Sequence, residues 1–400
     1  MKKLYVVKYG GSVLDSGAGI RRAAESAKEE YDKGTGLVLV VYAMKGMTDR
    51  LLEAASEIST ETPLDVIDRI IGLGEEQSVR LIASALKGMG VDAVEITPDS
   101  PSWPIVTDEV YGDANPIVDE CLNSADLGLR PLIERGKVPV VCGFIGRSPN
   151  GNITTLGRGG SDTTGVILAR CLGADELILV KDVAGVCSAD PKKVKSAQMI
   201  DHMSAWEANL MASTGAKVLH DKVFKYKPEG LKIRIISKNG PLDGDGTVID
   251  GTLPELSIEA YENQVCLINI VGDLVSSPEG IAQVYDAVKS QGGKILGFSG
   301  SKESSLFVVD GDPLKVLNGA HSIVDSGRAI AVTSAEKLAY ITVKRRGLRE
   351  AEAAANAKAA LTSKGIKVPW VQVGSSSFSL LLSWDNLQEA LGDIEKIFGR

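Results

Sequence analysis

The chain has 400 residues, of which 44% are hydrophobic and 24% are charged, and its formal net charge is −8. This length exceeds the roughly 250 to 300 residues of a single core, so at least two domains are expected. The acidic balance argues against nucleic acid or an anionic membrane as partner. No apolar run reaches transmembrane length, and the five widely spaced cysteines without a CxxC pair indicate reduced thiols in a cytoplasmic protein.

Strand-like and helical patterns alternate through the first part of the chain. The apolar runs are LYVVKYGG, GLVLVVYAM, VPVVCGFIG and ELILVKDV, with the helical stretch GIRRAAESAKEEYDKG between the first two. Such alternation predicts an α/β domain with a mostly parallel sheet and helices on both faces. Residues 238–256 are rich in Gly, Pro and Asp, which favours turns, and we place the end of the first domain at residue 258, giving a domain of residues 1–258.

Beyond residue 260 the chain repeats itself. GGKILGFSGSKESSLFVV (292–309) and GIKVPWVQVGSSSFSLLL (365–382) align without a gap, and each lies between two helical runs. VCLINIVG and LAYITVKR supply a first strand for each copy. The repeat predicts two α+β modules, residues 259–334 and 335–400, with one continuous α+β domain as the alternative.

Two glycine-rich turns follow predicted strands. In VVKYGGSV an apolar strand ends at Lys8 and runs into Gly10 and Gly11, where backbone N–H groups beside a lysine form a candidate phosphate cradle. The spacing matches neither a P-loop nor a Rossmann motif, and an ordinary turn is the alternative. In TTLGRGGSDTTG, Ser161 or Asp162 is placed to cap a helix of about ten residues that ends at Gly173, whereas a capping turn does not require Arg158.

Two further segments carry charged residues. VKDVAGVCSADPKK offers Lys181, Asp182, Asp190 and Lys192 after a strand, where a solvated loop is the alternative. TGAKVLH places Lys217 among small and apolar residues, where a lone lysine would ordinarily extend to the surface.

Taken in order, KYGGS, GLGEEQS, TTLGRGGSDTT, KDVAGVCSADPKK and STGAKVLH closely resemble the aspartate kinases of the amino-acid kinase superfamily. The resemblance covers essentially the whole chain, because members commonly carry two C-terminal ACT domains. It implies a three-layer α/β catalytic domain followed by two ACT-like, ferredoxin-like modules. The implied reaction is ATP-dependent phosphorylation of the β-carboxylate of L-aspartate to 4-phospho-L-aspartate, the first step of lysine, threonine and methionine biosynthesis.

The resemblance also implies roles for individual residues. Lys8 and Lys217 would contact the transferring phosphoryl group, Asp162 would orient these two lysines, and Gly10, Gly11 and Gly160 would give backbone donors. ATP would bind with Mg²⁺ at Lys181, Asp182, Asp190, Lys192 and Lys217. Aspartate would bind at Thr48, Glu75, Arg158 and Ser161. A guanidinium and a carboxylate suit the two charged groups of an α-amino acid in any case, and no residue is assigned as a metal ligand.

Three departures from the family pattern concern recognition. Val13 stands where the family has serine, Tyr42 replaces a serine that helps to hold aspartate, and Cys187 replaces a tyrosine of the ATP site. Two alternatives therefore remain: a related kinase acting on another carboxylate, and a catalytically silent subunit that senses an amino acid.

The repeat is expected to pair with a second chain, and an amino-acid effector would bind at that junction. Regulated members of the family often have an acidic residue in the strand after the first helix of the module. Here Leu296 and Pro369 occupy the matching places, so inhibition by lysine or threonine is expected to be weak or to use other contacts, such as backbone carbonyls near Ser276 and Ser277. A repeat that only dimerises is the alternative.

Overall fold

The computed structural model describes residues 3–215, 219–274, 276 and 278–399. Its chain divides into two compact units, Met1–Leu253 and Pro254–Arg400. In the described part of the chain, no helix is both long and apolar enough to cross a bilayer. All five cysteines are free thiols.

The first unit alternates strands and helices along the chain. Its strands are β1 (Leu4–Tyr9), β2 (Gly36–Val41), β3 (Ala93–Ile96), β4 (Val138–Cys142), β5 (Ile145–Arg147), β6 (Ile153–Thr155), β7 (Glu176–Lys181), β8 (His202–Ser204), β9 (Lys232–Ser237) and β10 (Gly246–Asp250). Its helices are α1 (Gly17–Asp32), α2 (Met47–Ile58), α3 (Leu64–Gly88), α4 (Val118–Gly128), α5 (Arg130–Glu134), α6 (Gly160–Leu172), α7 (Ala205–Ser213) and α8 (Lys222–Tyr226).

Eight of these strands form one sheet in the order β3-β4-β2-β1-β7-β9-β10-β8. Pairing is parallel from β3 to β9, and β10 runs antiparallel to β9. The central strands are apolar on both faces and nearly fully buried, as expected for parallel strands covered by helices. The α/β class with a mostly parallel sheet, predicted from the alternation, is confirmed.

The strand order reverses direction between β1 and β7. From β1 the sheet continues through β2 and β4 on one side, and through β7 and β9 on the other. In open parallel sheets, ligands bind in the crevice outside the carboxyl ends of the strands at such a point. Two of the predicted site residues, Lys8 and Lys181, lie at the carboxyl ends of these two strands.

The second unit is an antiparallel sheet with helices. It comprises the strands β11 (Ser257–Ala260), β12 (Val265–Val271), β13 (Lys294–Gly300), β14 (Ser304–Asp310), β15 (Ala331–Lys344), β16 (Trp370–Gly374) and β17 (Ser377–Ser383), and the helices α9 (Pro278–Ser290), α10 (Pro313–Asp325), α11 (Glu350–Ser363) and α12 (Leu387–Phe398). The order strand, helix, strand, strand, helix occurs twice, as the sequence repeat predicts.

The long strand β15 pairs with strands of both copies of the repeat. Its first half pairs with β12 and its second half pairs with β17, and the change of partner lies beside Lys337, whose φ is +54°. The short strand β11, which precedes the first copy in the chain, pairs with the second half of β15. The two copies therefore share one continuous strand.

Candidate active site

Lys8 places a cation inside the protein at the carboxyl end of β1. The residue is only 5% exposed, and its Nζ lies 2.5 Å from Oδ1 of Asp162. A buried ammonium group is stable only when a counter-charge and hydrogen bonds replace its water. The buried position of Lys8 therefore depends on Asp162, which comes from the helix that covers this face of the sheet.

Asp162 lies in the first turn of α6 rather than before it. The N-cap is Gly159, with φ of +71°, and it makes no side-chain capping bond. The prediction that Ser161 or Asp162 caps this helix is therefore wrong. Asp162 is free to use both carboxylate oxygens elsewhere, and its second oxygen, Oδ2, accepts a hydrogen bond from Nζ of Lys181 at 2.8 Å.

Two lysines from neighbouring strands thus meet one carboxylate. The side chains of Lys8 and Asp162 are 6% and 8% exposed, and that of Lys181 is 16% exposed. Burial by itself would raise the pKa of Asp162, but Lys181 and Lys8 together bring this pKa well below its ordinary value. Burial lowers the pKa of Lys8 to about 8, although Asp162 opposes this change. Because two positive groups share one negative group, the cluster favours an anion at this end of the sheet.

Small residues keep the backbone close to this cluster. A Cβ atom on Gly10 would lie 3.5 Å from Nζ of Lys8, and one on Gly11 would lie 3.1 Å from the carbonyl oxygen of Ala43. A Cβ on Gly160 would lie 2.8 Å from Cδ2 of Phe144. A Cβ on Gly11 or Gly160 would crowd neighbouring protein atoms, whereas one on Gly10 would make only an ordinary contact, so close packing requires glycine at the first two positions.

A buried carboxyl group, that of Glu75, lies at Ala43, the residue after Tyr42. Glu75, on α3, has no exposed surface, and its Oε1 accepts a hydrogen bond from the backbone N–H of Ala43 at 3.2 Å. Its Oε2 has no hydrogen-bond partner in the described part of the chain. Burial raises the pKa of Glu75 to about 8. A buried acceptor without a donor is costly, so this oxygen is suited to a donor that arrives with a ligand.

Tyr42 packs beside these groups. A Cβ on Gly11 would lie 3.3 Å from Cδ1 of Tyr42, and the ring of Tyr42 meets that of Phe144 edge to face at 5.8 Å. Its hydroxyl lies 3.4 Å from Oγ1 of Thr48, at the start of α2. Tyr42, which stands where the family has serine, therefore occupies space directly beside Gly11.

Arg158 and Ser161 lie at the start of α6. Ser161 is buried, whereas Arg158 is exposed and has no hydrogen bond or ion pair within the described residues. An unpaired guanidinium next to a helix N-terminus can bind a carboxylate without first breaking an existing ion pair.

The residues predicted to bind the nucleotide do not form a buried cluster like that of Lys8, Asp162 and Lys181. Asp182, Asp190 and Lys192 are exposed on the loop after β7, and Oδ1 of Asp190 accepts a hydrogen bond from the backbone N–H of Lys192 at 3.0 Å. The exposure of these side chains fits both a solvated loop without a ligand and a nucleotide site that is open to solvent. Lys217 lies outside the described residues, so its predicted pairing with Asp162 stays a prediction.

The sequence analysis missed two residues near the site. Phe144 follows β4 with φ of +71°, and its backbone N–H donates to Oγ1 of Thr164 at 3.0 Å. Lys238 follows β9, and its Nζ donates to the carbonyl oxygen of Ser12 at 3.0 Å. A lysine directly after a buried strand is a signal that could have identified Lys238, whereas nothing in the local sequence marks Phe144.

Comparisons with known proteins agree with this arrangement. The sequence model of the amino acid kinase family matches residues 3–237. The aspartokinase of Geobacillus stearothermophilus is 28% identical over 99% of this chain and 97% of its own length. The aspartokinase of Mycobacterium bovis is 34% identical over 71% of this chain and 68% of its own length. Alignments with several other curated aspartate kinases, at 34 to 39% identity, cover 58 to 65% of those proteins.

A solved structure extends the likeness to the fold of the whole chain. The aspartate kinase from Synechocystis superposes with a TM-score of 0.73 over 99% of this chain and 70% of that chain, at 24% identity. The fold of both units is therefore one that occurs in known proteins.

Proposed function

Because the chain belongs to the amino acid kinase family, we propose that it is an aspartate kinase, which transfers the γ-phosphoryl group of ATP to the β-carboxylate of L-aspartate. The products are 4-phospho-L-aspartate and ADP. The observation that carries the proposal is the buried cluster of Lys8, Asp162 and Lys181 at the reversal of the strand order. Two of the relatives are named aspartokinases, which supports aspartate as the acceptor.

The nucleophile needs no general base. A carboxylate with a pKa of about 4 is already ionised at neutral pH. The barrier comes from bringing this anion towards a nucleotide that is itself highly negative, so positioning and charge neutralisation carry the catalysis. Lys8 would contact the transferred phosphoryl group, while Asp162 would hold Lys8 in place. The backbone of Gly10, Gly11 and Gly160 would supply N–H donors.

The acceptor would be held by the two charged groups on its α-carbon. The unpartnered Oε2 of Glu75 suits the α-ammonium group, and the exposed guanidinium of Arg158 suits the α-carboxylate. Thr48 and Ser161 would add hydroxyl contacts. With both α-groups fixed, the β-carboxylate would be free to face the phosphoryl group, which is the geometry that an in-line transfer requires.

ATP would lie against the loop after β7, with Asp182, Asp190, Lys192 and Lys217 as contacts. We expect Mg²⁺ to arrive on the nucleotide phosphates, because it keeps several waters and binds proteins through one or two carboxylates plus substrate phosphates. The exposed Asp182 could supply one such carboxylate. Within the described ranges, no group of three or more His, Cys, Asp or Glu side chains is placed to hold a metal ion by itself.

The proposal is tested by measuring ADP release with a panel of acceptors: L-aspartate, L-glutamate and N-acetyl-L-glutamate. We expect kcat/KM for aspartate to be at least about tenfold higher than for the other two acceptors. Activity with glutamate alone would point to a related kinase whose acceptor site is altered by Tyr42. No turnover with any acceptor, in a protein that still binds an amino acid, would identify a silent sensing subunit.

A further inference from the structure

We propose that Lys181 is a further catalytic residue, which contacts the transferred phosphoryl group together with Lys8 and shares Asp162 with it. This inference rests on the proposed kinase function and goes beyond a general contact with the nucleotide. It starts from the position of the residue at the end of β7, next to the strand that carries Lys8.

The pairing of β1 with β7 places both lysines on the same face of the sheet. Lys8 lies opposite Leu179 in the parallel register. Side chains alternate between the two faces along a strand, so Lys181, two residues beyond Leu179, points to the same face as Lys8. Helix α6 covers this face, because a Cβ on its Gly165 would lie 3.0 Å from Leu177 and 3.8 Å from Cβ of Lys8.

The two lysines differ in depth. Two residues of strand advance the chain by about 6 to 7 Å, so Lys181 starts nearer to the carboxyl edge of the sheet than Lys8. The exposed fractions agree, since the side chain of Lys181 is 16% exposed and that of Lys8 is 6% exposed. Lys181 is thus the outer cation of the pair, on the side from which a nucleotide would enter.

Among the described residues, the charges of the cluster of Lys8, Asp162 and Lys181 do not balance. Asp162 gives one oxygen to each lysine, at 2.5 Å from Lys8 and 2.8 Å from Lys181. One negative charge therefore faces two positive charges, in a place that is largely closed to water. A phosphoryl group that gains negative charge on its outer oxygens during transfer would complete this balance. Because the ammonium group of Lys181 has three N–H donors, it can bind the phosphoryl group without leaving Asp162.

A purely structural ion pair between α6 and β7 is the competing explanation. That role would hold the helix in place in the presence of any ligand, so its loss would lower stability and weaken every nucleotide to the same degree. A phosphoryl contact is instead specific for nucleotides that carry a γ-phosphate. The two explanations are separated by comparing ADP with a non-hydrolysable β,γ-imido analogue of ATP.

The test uses Lys181→Met and Lys181→Arg in the full chain. Lys232→Met, at the exposed amino end of β9, is the matched control. Lys181→Met is expected to lower kcat with aspartate by about 100-fold and to leave the KM for aspartate within about threefold. It is also expected to remove most of the preference for the ATP analogue over ADP in calorimetric titrations. Lys181→Arg should recover part of the kcat and part of the preference for the ATP analogue. Lys232→Met should match the parent protein in both measurements.

The proposal is overturned if Lys181→Met keeps the parent's kcat within about threefold, or weakens ADP and the analogue equally. Should methionine prevent folding, Lys181→Gln keeps a hydrogen-bond donor for Asp162, and the same titrations apply; an unchanged preference for the analogue then refutes the role. A parent protein without activity on aspartate would contradict the proposed acceptor, whereas the comparison of nucleotides would still decide the role of Lys181.

Discussion

At the scale of single residues, Lys8 combines deep burial with a charge that Asp162 offsets. Its replacement in Lys8→Ala removes that charge from the transferred phosphoryl group and leaves the acceptor contacts in place. We expect kcat to fall by about 100-fold or more, with little change in the KM for aspartate. Steady-state kinetics with both substrates varied measures this, and an unchanged kcat would remove Lys8 from the mechanism.

Arg158 is expected to affect the acceptor instead. Arg158→Ala would lose a charge-assisted, bidentate contact to the α-carboxylate, which is worth roughly 1.5 to 3 kcal/mol. That corresponds to a drop in kcat/KM for aspartate of about 10- to 150-fold. The affinity for ADP, measured by titration, should stay at the parent value. Equal kcat/KM values in mutant and parent would show that Arg158 does not bind the acceptor.

Glu75 predicts a dependence on pH. Because its pKa is raised to about 8, the carboxyl group is mostly neutral below that pH and becomes charged above it. Only the charged form attracts an ammonium group, so the KM for aspartate should fall as the pH rises from about 6.5 to about 8.5. Lys8, with a pKa of about 8, loses its charge over the same range, so kcat/KM should decline at the alkaline end.

The control for this prediction is Glu75→Gln. Its KM should be higher and should no longer fall with pH, and an identical profile in mutant and parent would contradict the assignment. Folding stability gives a second measurement. The folded protein keeps a proton on Glu75 that the unfolded chain releases near the ordinary pKa, so this group makes stability fall as the pH rises from that value towards 8. Glu75→Gln should therefore have the higher Tm at pH 8.

At the scale of elements, the start of α6 decides where Asp162 lies. Gly159, the N-cap, has φ of +71°, and a Cβ there would come 2.3 Å from Cβ of His220. Gly159→Ala must therefore move either the helix start or the segment that carries His220. We expect kcat to fall by about tenfold and the stability to fall by more than about 1 kcal/mol.

Gly151→Ala is the matched control for this element. Gly151 also has a positive φ, +87°, but a Cβ there would meet nothing within 4 Å. It should lose roughly 1 kcal/mol of stability through backbone strain alone, with kcat unchanged. Thermal unfolding and kinetics of the two variants distinguish backbone strain from displacement of α6. Equal kcat values in the two variants would show that α6 keeps its position despite the contact between Cβ of residue 159 and His220.

At the scale of the whole molecule, the repeat in residues 254–400 raises the question of regulation. Leu296 lies on β13 and Pro369 lies directly before β16. The resemblance noted in the sequence analysis implies that these are the places where regulated relatives have an acidic residue for the amino group of an effector. Neither side chain can accept a hydrogen bond from an ammonium group. We expect a homodimer by light scattering and less than about 50% inhibition by lysine or threonine at about 5 mM. Strong inhibition by either amino acid would refute the argument from the missing acid.

Features that depend on local pattern could be predicted from the sequence. The alternation of apolar runs predicted the parallel α/β class, and the repeat predicted two similar sets of strands and helices, because burial periodicity and turn residues act over a few neighbouring positions. The order of the glycine- and lysine-containing motifs was sufficient to suggest the family, which the comparison confirmed. The same resemblance named Lys8 and Glu75 as site residues, and their roles stay predictions.

Which charged groups meet depends on how the chain folds and could not be predicted from local pattern. Lys8, Asp162 and Lys181 are far apart in the chain, and they converge because β1 pairs with β7 and α6 covers the shared face. A sequence motif contains no record of strand order. The local pattern favoured Asp162 as a helix cap, and the resemblance paired it with Lys8 and Lys217, whereas the structure pairs it with Lys8 and Lys181. The positive φ of Phe144 is likewise set by the packing around it, because such strain persists only where surrounding contacts enforce it.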